Sequence, residues 1–190
     1  MKRIALAAVA ATVIAAPAFA APSGPRIEGL VGYDHAQVDL TDLGGNDEDA
    51  GGVVYGVGIG YDFAFGANGA FGIDAEITDS TADIEFVDGT DSAKLAVGRD
   101  LYVGGRYTAA INDNVNLYAK LGYTNARVKA SATTGGTTVS DSANADGVRA
   151  GLGAQFAIGP NSFVGTEYRY SNYEGDFSRH QAVATFGFRF

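Results

Sequence analysis

An alternation of apolar with small or polar residues, repeated every second position along most of the chain, constrains the fold more than any other feature. In residues 54–63, Tyr55, Val57, Ile59, Tyr61 and Phe63 share one face, and Val54, Gly56, Gly58, Gly60 and Asp62 share the other. Residues 71–78 set Phe71, Ile73, Ala75 and Ile77 against Gly72, Asp74, Glu76 and Thr78. Residues 148–158 set Val148, Ala150, Leu152, Ala154, Phe156 and Ile158 against Arg149, Gly151, Gly153, Gln155 and Ala157. Residues 181–190 set Ala182, Ala184, Phe186, Phe188 and Phe190 against Gln181, Val183, Thr185, Gly187 and Arg189. Successive side chains of a strand point to opposite faces, so this period dictates strands; no segment carries a helical period. Noisier alternation at 26–35, 95–107, 115–129 and 163–173 raises the count to eight, each near the ~9–11 residues of a tilted membrane-crossing strand.

The connections fall into two kinds. Residues 65–69, 110–114 and 159–162 are short and rich in Gly, Asn, Asp and Pro, as tight turns require. Longer polar stretches occupy 37–52, 80–93, 130–146 and, briefly, 174–177. Short turns at one end and longer loops at the other describe an antiparallel up-and-down barrel with both termini on the turn side. The stretch 131–145, rich in Ser, Thr, Gly and Asp, reads as a loose loop, and 82–87 as a strand continuing beyond the bilayer. Ahead of the strands, Met1-Lys2-Arg3, an apolar run from Ile4 to Ala16 and Ala18-Phe19-Ala20 have the layout of a secretory signal peptide. Residues 1–20 are therefore expected to be cleaved, leaving a barrel domain over 21–190, and loss of Lys2 and Arg3 takes the net charge from −9 to −11. No later segment approaches the ~20 consecutive apolar residues of a membrane helix, so a membrane form must be a barrel.

Alternation alone does not say which face is wet, and here composition decides. A water-facing sheet carries Lys, Glu, Ser and Thr, whereas the polar face of these strands is mostly glycine with isolated charges of both signs. Glu28, Asp74, Glu76 and Glu167 stand against Arg106, Lys120, Arg149, Arg169 and Arg189. That set suits a narrow lumen, where glycine leaves room for long side chains and opposite charges pair, because an unpaired buried charge is costly. The apolar face then meets lipid. Tyr61, Phe63, Phe71, Tyr107, Phe156 and Phe188 form a girdle at the turn end, with Tyr33, Tyr55, Tyr168 and Tyr170 nearer the other.

The last nine residues, Ala182-Val183-Ala184-Thr185-Phe186-Gly187-Phe188-Arg189-Phe190, end in alternating aromatics with a terminal Phe. With Val31-Gly32-Tyr33-Asp34 and Leu101-Tyr102-Val103-Gly104-Gly105-Arg106-Tyr107, this resembles the small porin-like outer-membrane barrels, a family that includes the OmpA transmembrane domain, OmpX and the opacity proteins. The resemblance covers residues 21–190. It implies residence in the bacterial outer membrane beside lipopolysaccharide, and recognition of Phe186, Phe188 and Phe190 by the barrel assembly machinery. It departs from full-length OmpA in that the peptidoglycan-binding domain is expected to be absent.

Chemistry-bearing residues are few. With no cysteine and two histidines, thiolate chemistry is excluded and the common metal sites nearly so. The negative balance repels nucleic acid. His35 and His180 fall at the loop ends of the first and last strands, where closure would bring them together near Ser178 and Asp34, inviting comparison with lipid A deacylases. Those enzymes place His before Ser, whereas Ser178-Arg179-His180 reverses the order. Asp39, Asp42, Asp47, Glu48 and Asp49 make an acidic first loop without the ligand spacing of a calcium loop. Gly56-x-Gly58-x-Gly60 has strand periodicity and no following helix, so it is not a phosphate loop. Arg99 falls on the lipid face by phase, which requires that it stand above the hydrocarbon, within reach of lipopolysaccharide phosphates, or follow a bulge. The expected role is structural, with a surface ligand bound through the loops and no catalytic residue, cofactor or metal. A narrow low-conductance porin and, third, a lipid-modifying enzyme at the rim are the competing readings.

Overall fold

The computed structural model describes residues 21–38, 48–88, 91–174 and 177–190. The expected leader lies outside these residues, as do Asp39, Asp42, Asp47 and the side chains of Glu48 and Asp49. Nine strands are described: β1 (Gly24–Val38), β2 (Glu48–Phe65), β3 (Gly69–Ser80), β4 (Asp83–Asp88), β5 (Asp91–Asn112), β6 (Val115–Thr134), β7 (Thr137–Ala157), β8 (Ser162–Tyr173) and β9 (Phe177–Arg189). All pair antiparallel, each with its sequence neighbours except β3 with β4, and β1 pairs with β9. β3 and β4 lie end to end along one edge of β5, from Gly69↔Ala109 to Thr78↔Asp100 and from Asp83↔Ala96 to Asp88↔Asp91. Thr81 N donates to Val53 O at 2.9 Å and Val97 N to Ala82 O at 3.0 Å, carrying the ladder across the break. β3 and β4 thus count as one stave, and the ring has eight.

The wall is inside out relative to a water-soluble protein. Ile59, Ile73, Leu121 and Leu152 are 61–65% exposed on the outer face, while Arg106, Arg149, Arg169 and Arg179 are at most 2% exposed in the lumen. All ten girdle residues named from sequence face outward. Tyr123, in phase with them on β6, adds a further outer tyrosine, its hydroxyl donating to Asp146 at 2.5 Å. Inward glycines admit the long chains: a Cβ on Gly58 would sit 3.2 Å from Glu76 Cγ and 3.3 Å from Glu28 Cγ.

One end of the ring carries the turns 66–68, 113–114 and 158–161 and both ends of the described chain, where Phe190 N donates to Pro25 O at 3.0 Å. The other end corrects one expectation. Residues 131–145 are not a loose loop: β6 and β7 stay in register to Thr134↔Thr137 around Gly135-Gly136, whose φ values of 57° and 80° make the two-residue turn that matches strand twist. The strand expected at 82–87 is present as β4, with the start of β5 following it. β5 pairs with β6 up to Ser92↔Thr133, whereas the last rung of β7 with β8 is Gly147↔Tyr173. A four-stranded sheet, β4-β5-β6-β7, therefore stands above the barrel, and β7 from Thr137 to Ala145 has β6 alone as its described neighbour.

Arg99 sits at a break of phase. The β5–β6 register shifts between Val97 and Asp100, and both of those residues are buried although three apart. The bulge leaves Gly98 and Arg99 outside, Arg99 in step with Leu101, and it is the residues up to Val97 whose phase is inverted.

Candidate functional site: the lumen charge network

Seven acidic and seven basic side chains meet inside the ring: Glu28, Asp34, Asp62, Asp74, Glu76, Asp100 and Glu167 with Arg26, Arg106, Lys120, Arg149, Arg169, Arg179 and Arg189. They stack in three tiers. Nearest the turns, Arg26 bridges Asp62 at 3.3 Å and Asp74 at 2.5 Å, and Arg189, its side chain 19% exposed, closes the floor on Asp62 at 3.0 Å. Arg106 binds Asp74 at 2.8 Å and Glu28 at 3.2 Å, and its guanidinium lies 4.1 Å from the Tyr118 ring centroid.

In the middle tier, Lys120 contacts Glu76 and, at 3.4 Å, Glu167. Arg169 spans the same two carboxylates at 2.9 Å and 2.6 Å, and the Tyr118 hydroxyl donates to Glu167 at 2.8 Å. The upper tier centres on Asp100, which takes Arg149, Arg179 at 2.8 Å, the Tyr173 hydroxyl at 2.7 Å and the Thr124 hydroxyl at 2.6 Å. Arg179 also binds Asp34, which accepts from the Ser80 hydroxyl at 2.5 Å and Gln181 Nε2 at 3.2 Å. Above this tier the lumen turns apolar, with Ala36, Val97, Ala126, Tyr173 and Phe177 packed together. Beside them a cavity of about 180 Å³ is lined largely by alanines.

All nine charges named from phase, Glu28, Asp74, Glu76, Arg106, Lys120, Arg149, Glu167, Arg169 and Arg189, lie in this set. Five members were not named: Arg26, Asp34, Asp62, Asp100 and Arg179. All five obey phase. Arg26 is in step with Glu28, Asp34 with Leu30, Asp62 with Gly60, Asp100 with Tyr102 and Arg179 with Gln181. Four of them lay within the strands read from sequence, and only Arg179 needed the last strand extended. Phe186, Phe188 and Phe190, expected from the resemblance to be an assembly signal, face outward at 43–72% exposure, and the rings of Phe186 and Phe188 meet edge to face at 5.1 Å.

The rim histidines do pair, His35 opposite His180 across β1 and β9. The acid does not join them. Asp34 points to the other side of the wall and is engaged by Arg179, while His180 Nδ1 meets the Tyr168 hydroxyl at 2.6 Å. A Ser-His-acid relay needs the carboxylate on the imidazole, and this arrangement gives that position to a tyrosine.

Ionised groups packed this closely hold one another in place. Each guanidinium or ammonium has a carboxylate within ion-pair distance, the two signs balance, and the central groups are at most 5% exposed. Such a set fills the lumen of an eight-stranded barrel.

The model of the outer membrane protein beta-barrel domain matches residues 5–190. Among solved structures, Ail, the attachment invasion locus protein of Yersinia pestis, is 20% identical, with 88% of this chain and 99% of Ail covered at a TM-score of 0.57. Ail in complex with the heparin analogue sucrose octasulfate is 20% identical over the same shares at 0.56. Neisserial surface protein A is 18% identical, with 88% of this chain and 98% of that one covered at 0.57. No curated protein sequence matches. A closed eight-stranded ring with lipid-suited outside and charged inside, matched by the family model over nearly its whole length, belongs to the outer membrane protein beta-barrel family of the bacterial outer membrane.

Proposed function

We propose that this barrel is a structural outer-membrane protein that meets its surroundings through the sheet standing above the membrane, and does not act as a pore. The observation that carries the reading is the pairing of a tightly packed, charge-balanced lumen with a projecting strand whose outer edge has no partner among the described residues. A lumen filled this way offers ions no water path. The edge of β7 from Thr137 to Ala145 presents backbone donors and acceptors, and an extended segment of another protein can add to such an edge as a further strand. Ser, Thr, Asn and Asp along it keep the edge soluble while leaving it free of proline. Ail, attached by its name to adhesion and invasion, shares the fold, and that likeness supports a surface role here. Lipopolysaccharide is the lipid partner of this reading, Phe186, Phe188 and Phe190 are its signal to the assembly machinery, and residues 1–20 are its export leader.

The test shortens the hairpin without disturbing the barrel. Deleting residues 131–134 and 137–140 rejoins the Ala130↔Asp141 rung through Gly135-Gly136 and keeps the register. The shortened protein should refold with the heat-modifiable mobility of the parent and lose retention on immobilised extracellular-matrix proteins. Retention unchanged by the deletion would place the surface role elsewhere.

A further inference from the structure

The lumen network is neutral, so the strongly negative net charge resides outside it. Of 22 acidic residues in the sequence, fifteen lie outside the lumen set, while residues 21–190 keep only four basic residues there: Lys94, Arg99, Arg127 and Lys129. All four are on two adjacent strands, Lys94 and Arg99 on β5 and Arg127 and Lys129 on β6. The rest of the outer end repels anions, and this sector alone attracts them.

The backbone gathers three of the four. On β5, Arg99 faces outward directly above Leu101, an exposed residue of the lipid-facing band. Arg127 and Lys129 are exposed on the neighbouring strand, in phase with Leu121 and Tyr123 of the same outer face. Gly98, beside Arg99, has no side chain to separate the strands: a Cβ there would lie 3.3 Å from Arg127 O and 3.8 Å from Lys129 Cε. Lys94 pairs with Asp83 at 2.9 Å. Among the described residues no ion pair joins Arg99, Arg127 or Lys129 to a carboxylate; Arg127 Nη2 donates to the Ser142 hydroxyl at 2.8 Å, and Arg99 Nε is buried without an acceptor. In a chain this acidic, three neighbouring cations with no carboxylate partner among the described residues suit an external anion.

We propose that Arg99, Arg127 and Lys129 form a one-sided binding site for the phosphate groups of a phosphorylated glycolipid of the outer leaflet. Guanidinium forks match phosphate oxygens two at a time, and the lysine adds a point charge. The anion comes from the membrane because Arg99 leaves the wall sideways, one step above the hydrocarbon, where headgroups lie. This inference rests on outer-membrane residence and is independent of the surface role of the β7 edge.

The test is native mass spectrometry of the refolded protein with bisphosphorylated lipid A, dephosphorylated lipid A and, in solution, sucrose octasulfate. The parent should retain bisphosphorylated lipid A at least about tenfold better than the dephosphorylated form. The triple variant Arg99→Ser, Arg127→Ser, Lys129→Ser should lose that preference while keeping the parent's heat-modifiable mobility. The charge-keeping pair Arg99→Lys, Arg127→Lys should retain most of it. A preference that survives in the triple variant overturns the site, as does a parent with no preference. Sucrose octasulfate bound as well as lipid A would overturn the lipid assignment.

Discussion

Strand β6 passes through two environments, and its two halves obey different rules. In the lower half Lys120 is 3% exposed and its neighbour Leu121 63% exposed, because one side of the wall is a packed charge network and the other is lipid. In the upper half, the hairpin with β7 is exposed on both faces over most of its length, and Val139 is 69% exposed. Hydrogen-bonded ladders hold both halves, but only the lower one assigns each side chain a solvent. Side-chain identity should therefore govern stability in the membrane and matter little above it, where function is free to select sequence.

The largest effect expected from breaking this contrast is at Asp100. Asp100→Ala leaves Arg149 and Arg179 facing each other without their shared carboxylate. The loss should approach the ~3–5 kcal/mol typical of a buried pair broken from one side, read as a fall in the urea midpoint of the refolded barrel. A change below ~1 kcal/mol would mean that water, not pairing, solvates the upper tier.

A smaller effect sharpens the comparison by making one substitution in both regions. Leu121→Arg, near the middle of the apolar band, should cost ~2–4 kcal/mol in a bilayer. Val139→Arg on the projecting hairpin should stay within ~0.5 kcal/mol. Equal costs at the two sites would erase the distinction between the two halves of the wall.

The same contrast explains which parts of the molecule could be read from residues alone. Alternation at 54–63 or 148–158 is visible because the two faces meet different media. It vanishes at 131–145, where both faces meet water, and a regular hairpin there looks like a polar loop. The Gly135-Gly136 pair between Thr-rich flanks was the surviving signal, since a two-residue turn with positive φ at both positions favours glycine. In the lumen, phase led to Glu28, Arg106 and Arg149 but not to Arg179, which sits where the last strand was drawn too short. The bulge was hidden for a different reason: it reverses parity between Val97 and Asp100, and Arg99, a cation on the outer face, was its only trace in the sequence.

The claim that the lumen is closed by its own charges is tested most directly by single-channel recording of the refolded protein in a planar bilayer. The account predicts a silent membrane from protein whose folding is verified by heat-modifiable mobility, with steps emerging only when the network is opened, as in Arg106→Ala combined with Asp74→Ala. Stable, ion-selective steps from the unmodified barrel would contradict it and make this protein a narrow porin.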